Sequence, residues 1–168
     1  MGGRSAGSSV VRSEQAPRHA AVDTAAVLPL LLDAVLQEGV LASLHTSLHR
    51  HGTRIAHQHA AQIMWRLLSW PEGIKSLCAE PHAKFVCPLL HTILAGADEM
   101  RMDDDDVVLT ANSIMRVMQH EDGLLLPFDL EQARTLLEYP SKHGHRSTVV
   151  KDALSSCWAQ FQLSFFGG

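Results

Sequence analysis

Apolar residues return along most of this chain at steps of three and four, the period of a helix with one buried face. The clearest stretch runs from Thr53 to Gly73, TRIAHQHAAQIMWRLLSWPEG. Thr53 is a natural N-cap, because its hydroxyl can accept from a free amide of the first turn. Ile55, Ala60, Met64, Leu67 and Leu68 form the expected stripe, with Trp65 beside it and Trp70 at its end. Ala60 and Ala61 are small enough to let a neighbouring helix approach. Pro71 cannot continue the helix, and Gly73 marks the turn after it. The same grammar recurs from Asp106 to Gly123, with Val107, Ala111, Ile114, Met115 and Met118 as the stripe. It recurs again from Arg146 to Leu163, with Val149, Val150, Ala153, Leu154, Cys157, Trp158 and Phe161. Three long helices of one type, each preceded by another apolar helix, predict a repeat protein.

The remaining pattern fills the gaps between them. A first helix is expected over Val22–Gln37, capped by Asp23 or Thr24, with Pro29 either starting it or kinking it. Val40–Arg50 follows the Glu38-Gly39 break, and the short His51-Gly52 turn makes it an antiparallel neighbour of the Thr53 helix. Ile74–Ala79 reads as a short helix and Phe85–Ala95 as a longer one with Pro88 near its first turn, then a loop from Gly96 to Arg101. Gly123–Leu126 is a short apolar piece, Leu130–Tyr139 a helix, and Pro140–His145 a loop. Strand-type alternation is nearly absent, so the class is all-α. The division expected is a disordered tail over 1–20, a helical repeat domain over 21–163 and a short apolar tail over 164–168.

Composition narrows the functional classes. A chain of 168 residues that is 46% hydrophobic can build one continuous core. The formal charge of -4 argues against a nucleic-acid partner, which calls for a positive field. The longest apolar run, Ala25 to Leu32, is too short to cross a bilayer, so no membrane partner is expected. Cys78, Cys87 and Cys157 are odd in number and widely spaced, which favours a reducing, cytoplasmic setting over a disulfide framework. Residues Met1 to His19 are rich in Gly, Ser and Arg with one acid, Glu14. That composition suits a disordered tail, and it also fits a mitochondrial presequence. The myristoylation motif fails at Ala6.

The order of short, medium and long helix resembles the armadillo repeat. Gly39-Val40, then Leu44 and Leu48, Ala60-Ala61, Leu67-Leu68 and Pro71-Glu72-Gly73 match its scheme. Leu90, Leu94, Ala111, Met118 and Gly123 match in a second unit, and Leu136, Ala153 and Trp158 more loosely in a third. The resemblance covers roughly Gly39 to Leu163 and also fits HEAT-type hairpins. It implies a right-handed α-solenoid of about three repeats whose long helices offer a surface to another protein or peptide. The loops over 96–103 and 140–145 exceed the family's tight turns. Its asparagine ladder is not repeated either, since only Asn112 stands on such a helix.

Candidate chemistry is sparse. Of eleven histidines, five (His45, His49, His51, His57 and His59) fall in one hairpin. His45 and His49 share a face at i, i+4, a spacing that can chelate zinc or copper. Thr46 stands where a zinc enzyme needs Glu, and no carboxylate or Cys follows at ligand spacing, so exposed polar histidines are expected. His143 and His145 lie in a loop and read as turn residues or a weak metal contact. The run Asp103 to Asp106 lacks the Gly and distal Glu of a calcium loop and is read as acids at a helix N-terminus. Cys87 and Cys157 read as packing residues, as do Met64, Met115 and Met118. No nucleophile elbow, phosphate loop or metalloprotease motif is present. The reading is a non-enzymatic interaction scaffold with no cofactor and no metal. His57, Arg66, Asn112, Arg116 and Gln119, on the polar faces of the long helices, are the expected partner-binding residues. The alternatives are an assembly subunit of a larger complex, docked through Phe165 and Phe166, and a His-rich metal-binding helical domain.

Overall fold

Every regular element in the computed structural model, which describes residues 24–120 and 146–166, is a helix. The seven are α1 (Thr24–Val35), α2 (Val40–His51), α3 (Arg54–Ser69), α4 (Pro71–Leu77), α5 (Ala83–Ala95), α6 (Asp104–Gln119) and α7 (Thr148–Phe166). The expected tail over 1–20, the piece Gly123–Leu126, the helix Leu130–Tyr139 and the loop holding His143 and His145 lie outside the described residues, as do the side chains of Phe165 and Phe166.

The local signals explain most boundaries. The Thr53 hydroxyl accepts from the Ala56 amide at 3.2 Å, which is the N-cap its position predicts. Gly39 sits at φ 78, in the left-handed region that favours glycine, and separates α1 from α2. Pro71 ends α3 and at the same time opens α4, where its missing N–H costs nothing. A Cβ on Gly73 would lie 2.0 Å from the Leu67 carbonyl oxygen, so the chain folds back on α3 only with glycine there. Pro29 and Pro88 are carried inside α1 and α5 instead of starting them. Each stands sixth in its helix, so its ring removes one bond in the opening turns. α6 begins at Asp104 with Asp103 as its cap and stops at Gln119, short of the expected Gly123. α7 runs on through Ser164 to Phe166, so those residues are helical and not a separate tail.

The long helices lie side by side. α6 is packed between α3 and α7, α2 is packed on α5, and α1 rests only lightly against α2 and α3. Arg54 near the start of α3 meets Asp103 at the start of α6, and Arg116 near the end of α6 meets the carbonyls that end α3. The two therefore run in the same direction. Ser147 with Asp104, and Gln160 with Gln119, give the same sense to α6 and α7.

Burial repeats from helix to helix. In α3 the buried positions are His57, Ala60, Ala61, Met64, Leu67 and Leu68. The residues fifty further on, Val107, Thr110, Ala111, Ile114, Val117 and Met118, are the matching buried set in α6. Val150, Leu154, Cys157 and Phe161 take up four of the same places in α7. These side chains join Leu41, Leu48, Leu77, Val86, Leu89, Leu90, Ile93 and Leu94 in one core. Each large one contributes about 1.5–3 kcal/mol by leaving water.

Two residues assigned to the stripes of the three long helices are exposed, and Met115, Ala153 and Trp158 are only half-buried. Ile55 and Val149 are each 65% exposed. Ile55 stands nine residues before Met64, which at about 100° per residue puts it on the opposite side of α3. No single helix among the described residues is long and apolar enough to cross a membrane. Only the pair Ala26–Val35 and Val40–His51, bent by 81°, passes that test jointly.

Candidate interaction surface

The row formed by α3, α6 and α7 leaves one stripe of each helix facing away from the core. On α3 it holds Ile55, His59, Gln62 and Arg66. On α6 the equivalent places hold Asp105, Leu109, Asn112 and Arg116, and on α7 Thr148, Asp152, Ser155 and Ala159. The four α7 residues are exposed, as are Arg66, Arg116, Asp105 and His59, while Gln62, Leu109 and Asn112 are half-buried between helices. On this stripe Asp105 stands in the first turn of α6, and Arg66 and Arg116 stand in the last turns of α3 and α6. Each sign thereby opposes the partial charge of its helix terminus.

Of the five expected binding residues, four belong to this surface and one does not. Arg66 and Asn112 lie on it. Arg116 lies on it too, with Nε and Nη2 donating to the Leu68 and Ser69 carbonyls, both at 3.4 Å, so that it also caps α3. Gln119 is exposed at its edge and donates to the Gln160 amide oxygen at 3.4 Å, bridging α6 to α7. His57 is a correction, being 2% exposed and pointing into the protein. It precedes Arg66 by nine residues, so the two cannot share a face. Its Nδ1 donates to the Thr53 carbonyl at 3.0 Å, and its ring fills the space between two glycines. A Cβ on Gly52 would come within 2.2 Å of the ring, and one on Gly96 within 2.7 Å.

The aspartate run is more than a dipole device. Asp103 receives Arg54 at 2.6 Å and Gln58 at 3.0 Å, and buried Asp106 receives Gln62 at 3.0 Å, all from α3. Asp104 turns the other way. It accepts from Arg146 Nη1 at 2.9 Å and from the Ser147 amide at 3.3 Å, just before α7. The hydrogen bond from the Ser147 hydroxyl, and then Arg146, hold its carboxyl below the usual value against the opposing effect of burial. Arg146 belongs to no motif along the chain, yet it is the most heavily bonded side chain of this edge. Its side chain is 6% exposed and is held as well by Asp98 at 3.0 Å and by the Met102 and Ala97 carbonyls at 2.9 and 3.2 Å. All four partners are more than forty residues away in sequence, and no local pattern announces them.

On the other layer, a groove of about 530 Å³ opens between the end of α2 and the second half of α5. His45, His49, His57, His91 and Glu99 all line it, although His91 and Glu99 are far from the hairpin in sequence. Among the described residues no three His, Cys, Asp or Glu side chains converge closely enough, as placed, to hold a metal ion. Cys78, Cys87 and Cys157 are buried thiols. Burial pushes Cys87 and Cys157 up to about 12, with the neighbouring Cys78 adding to the effect at Cys87, which removes them as nucleophiles at neutral pH. No protein-family model, curated protein or solved structure matches the chain.

Proposed function

We propose that the protein is a non-enzymatic interaction scaffold, an armadillo-like α-solenoid that holds a segment of another protein on the exposed stripe of α3, α6 and α7. The observation that carries this reading is the recurrence of one burial pattern at His57–Leu68, Val107–Met118 and Val150–Phe161 on parallel neighbouring helices. A core repeated in this way extends in a row, each unit covering its neighbour's apolar side. The row leaves a polar surface that internal packing does not consume, and Arg66 is exposed on it. Surfaces of this kind bind through a few central anchors surrounded by weaker contacts.

The test uses the whole chain, isolated from extracts of the cells that make it, beside an Arg66→Glu, Asn112→Trp double variant. The wild type retains a specific protein partner, and the variant loses it while its melting temperature stays within about 2 °C, as surface changes should. Retention of the same partners by the variant overturns the reading. An assembly role through Phe165 and Phe166 predicts the reverse, with loss on replacing those two residues and none on changing the stripe.

A further inference from the structure

Five histidines in one hairpin need a reason, and the fold sharpens the question. It gathers three of them, His45, His49 and His57, with His91 and Glu99 around one groove. We propose that His45 and His49 form a two-point site for a divalent first-row transition ion of the zinc type, with water in the remaining positions. The two residues are one helical turn apart on α2, and their rings stack at 26° with centroids 6.3 Å apart. Zinc–nitrogen bonds of about 2.0–2.1 Å at a tetrahedral angle place two ring centroids roughly 5 Å apart. The pair must therefore close by about 1 Å. His49 is exposed and His45 half-buried, so both rings are free enough to make that adjustment by side-chain rotation alone.

The surroundings favour an ion. Glu99 is exposed on the rim of the same groove and adds a negative charge to its lining. Sequence spacing alone offers the pair no carboxylate. With only two protein ligands the ion exchanges readily, unlike a closed structural zinc with four. The site lies on the α2–α5 side and is independent of the α3–α6–α7 stripe, so either can fail alone.

The experiment is calorimetric titration of Zn²⁺ into the full chain without an affinity tag, at neutral pH. One equivalent is expected to bind saturably. His45→Gln and His49→Gln should each weaken it tenfold or more, while His51→Gln and His59→Gln, on exposed histidines of the same hairpin, should leave it unchanged. Far-UV circular dichroism on each variant shows whether the helices are intact. Two-dimensional NMR of the imidazole nitrogens gives a second reading, in which Zn²⁺ shifts His45 and His49 before any other histidine. Absence of saturable binding overturns the proposal, and so does binding that survives both substitutions.

Discussion

Arg146 offers the sharpest test of how the last helix is held. Replacing it with Met keeps most of the apolar stem but removes every donor. Four contacts are lost together: Asp98, Asp104 and the carbonyls of Ala97 and Met102. Removing one partner of a buried ion pair costs about 3–5 kcal/mol. Here the carboxylates keep 34% and 42% of their side-chain area in water, so the solvent recovers part of the loss. The Met102 carbonyl recovers less, at about 1–3 kcal/mol for a buried acceptor left without a donor, whereas the Ala97 carbonyl keeps the Met102 amide at 2.9 Å. We expect a net loss of about 2–4 kcal/mol. In a chain of this size that is a melting temperature lower by about 6–12 °C. Urea and thermal unfolding followed by circular dichroism measure it. The informative comparison is a cycle with Asp104→Asn, because both changes remove one shared contact. The double variant should lose less than the two single losses combined, by at least about 1 kcal/mol. A loss under about 1 kcal/mol for Arg146→Met, or additivity within about 0.5 kcal/mol, would mean that α7 is held by its apolar face alone.

Three further outcomes follow from the same geometry. Gly96→Ala should destabilise by about 1–3 kcal/mol, because its Cβ would meet the His57 ring, and by much less in a His57→Ala background; equal cost in both, measured by urea unfolding, would refute the contact. Asp104 has a folded value below its usual 3.8, so its contribution is complete above that value and is lost as the pH falls through the folded one; the urea midpoint should fall on acidification, and less steeply for Asp104→Asn. The buried thiols Cys78, Cys87 and Cys157 should not react with a disulfide reagent in the folded protein near pH 8 and should react fully in denaturant; rapid labelling of the folded chain would show that the core around them opens.

What could be read from the sequence was what acts within about one helical turn. Thr53 caps α3, Gly39 and Pro71 break the chain, and the stripes of α3 and α6 come close to the buried sets. The errors share one cause, which is that a stripe drawn from apolar identity ignores angle. Apolar identity puts Ile55 inside and polarity puts His57 outside, yet each stands nine residues from a residue whose side of α3 is clear. Angle alone would have corrected both. It would not have shown why α6 buries Asp106 and Ser113 beyond the α3 pattern, since that depends on α6 being covered from two sides. Nor would it have shown the purpose of the aspartate run. The helix dipole accounts for acids at the start of α6 but not for four in succession. Asp103 and Asp106 tie that helix back to α3, and Asp104 ties it forward to α7. A row of parallel helices brings its N-termini together at one edge, where partial positive charges would otherwise accumulate. A single acidic stretch on the middle helix can serve both neighbours only because that helix lies between them. The composition of the run therefore follows from the order of the row, and this is information that no window along the chain contains.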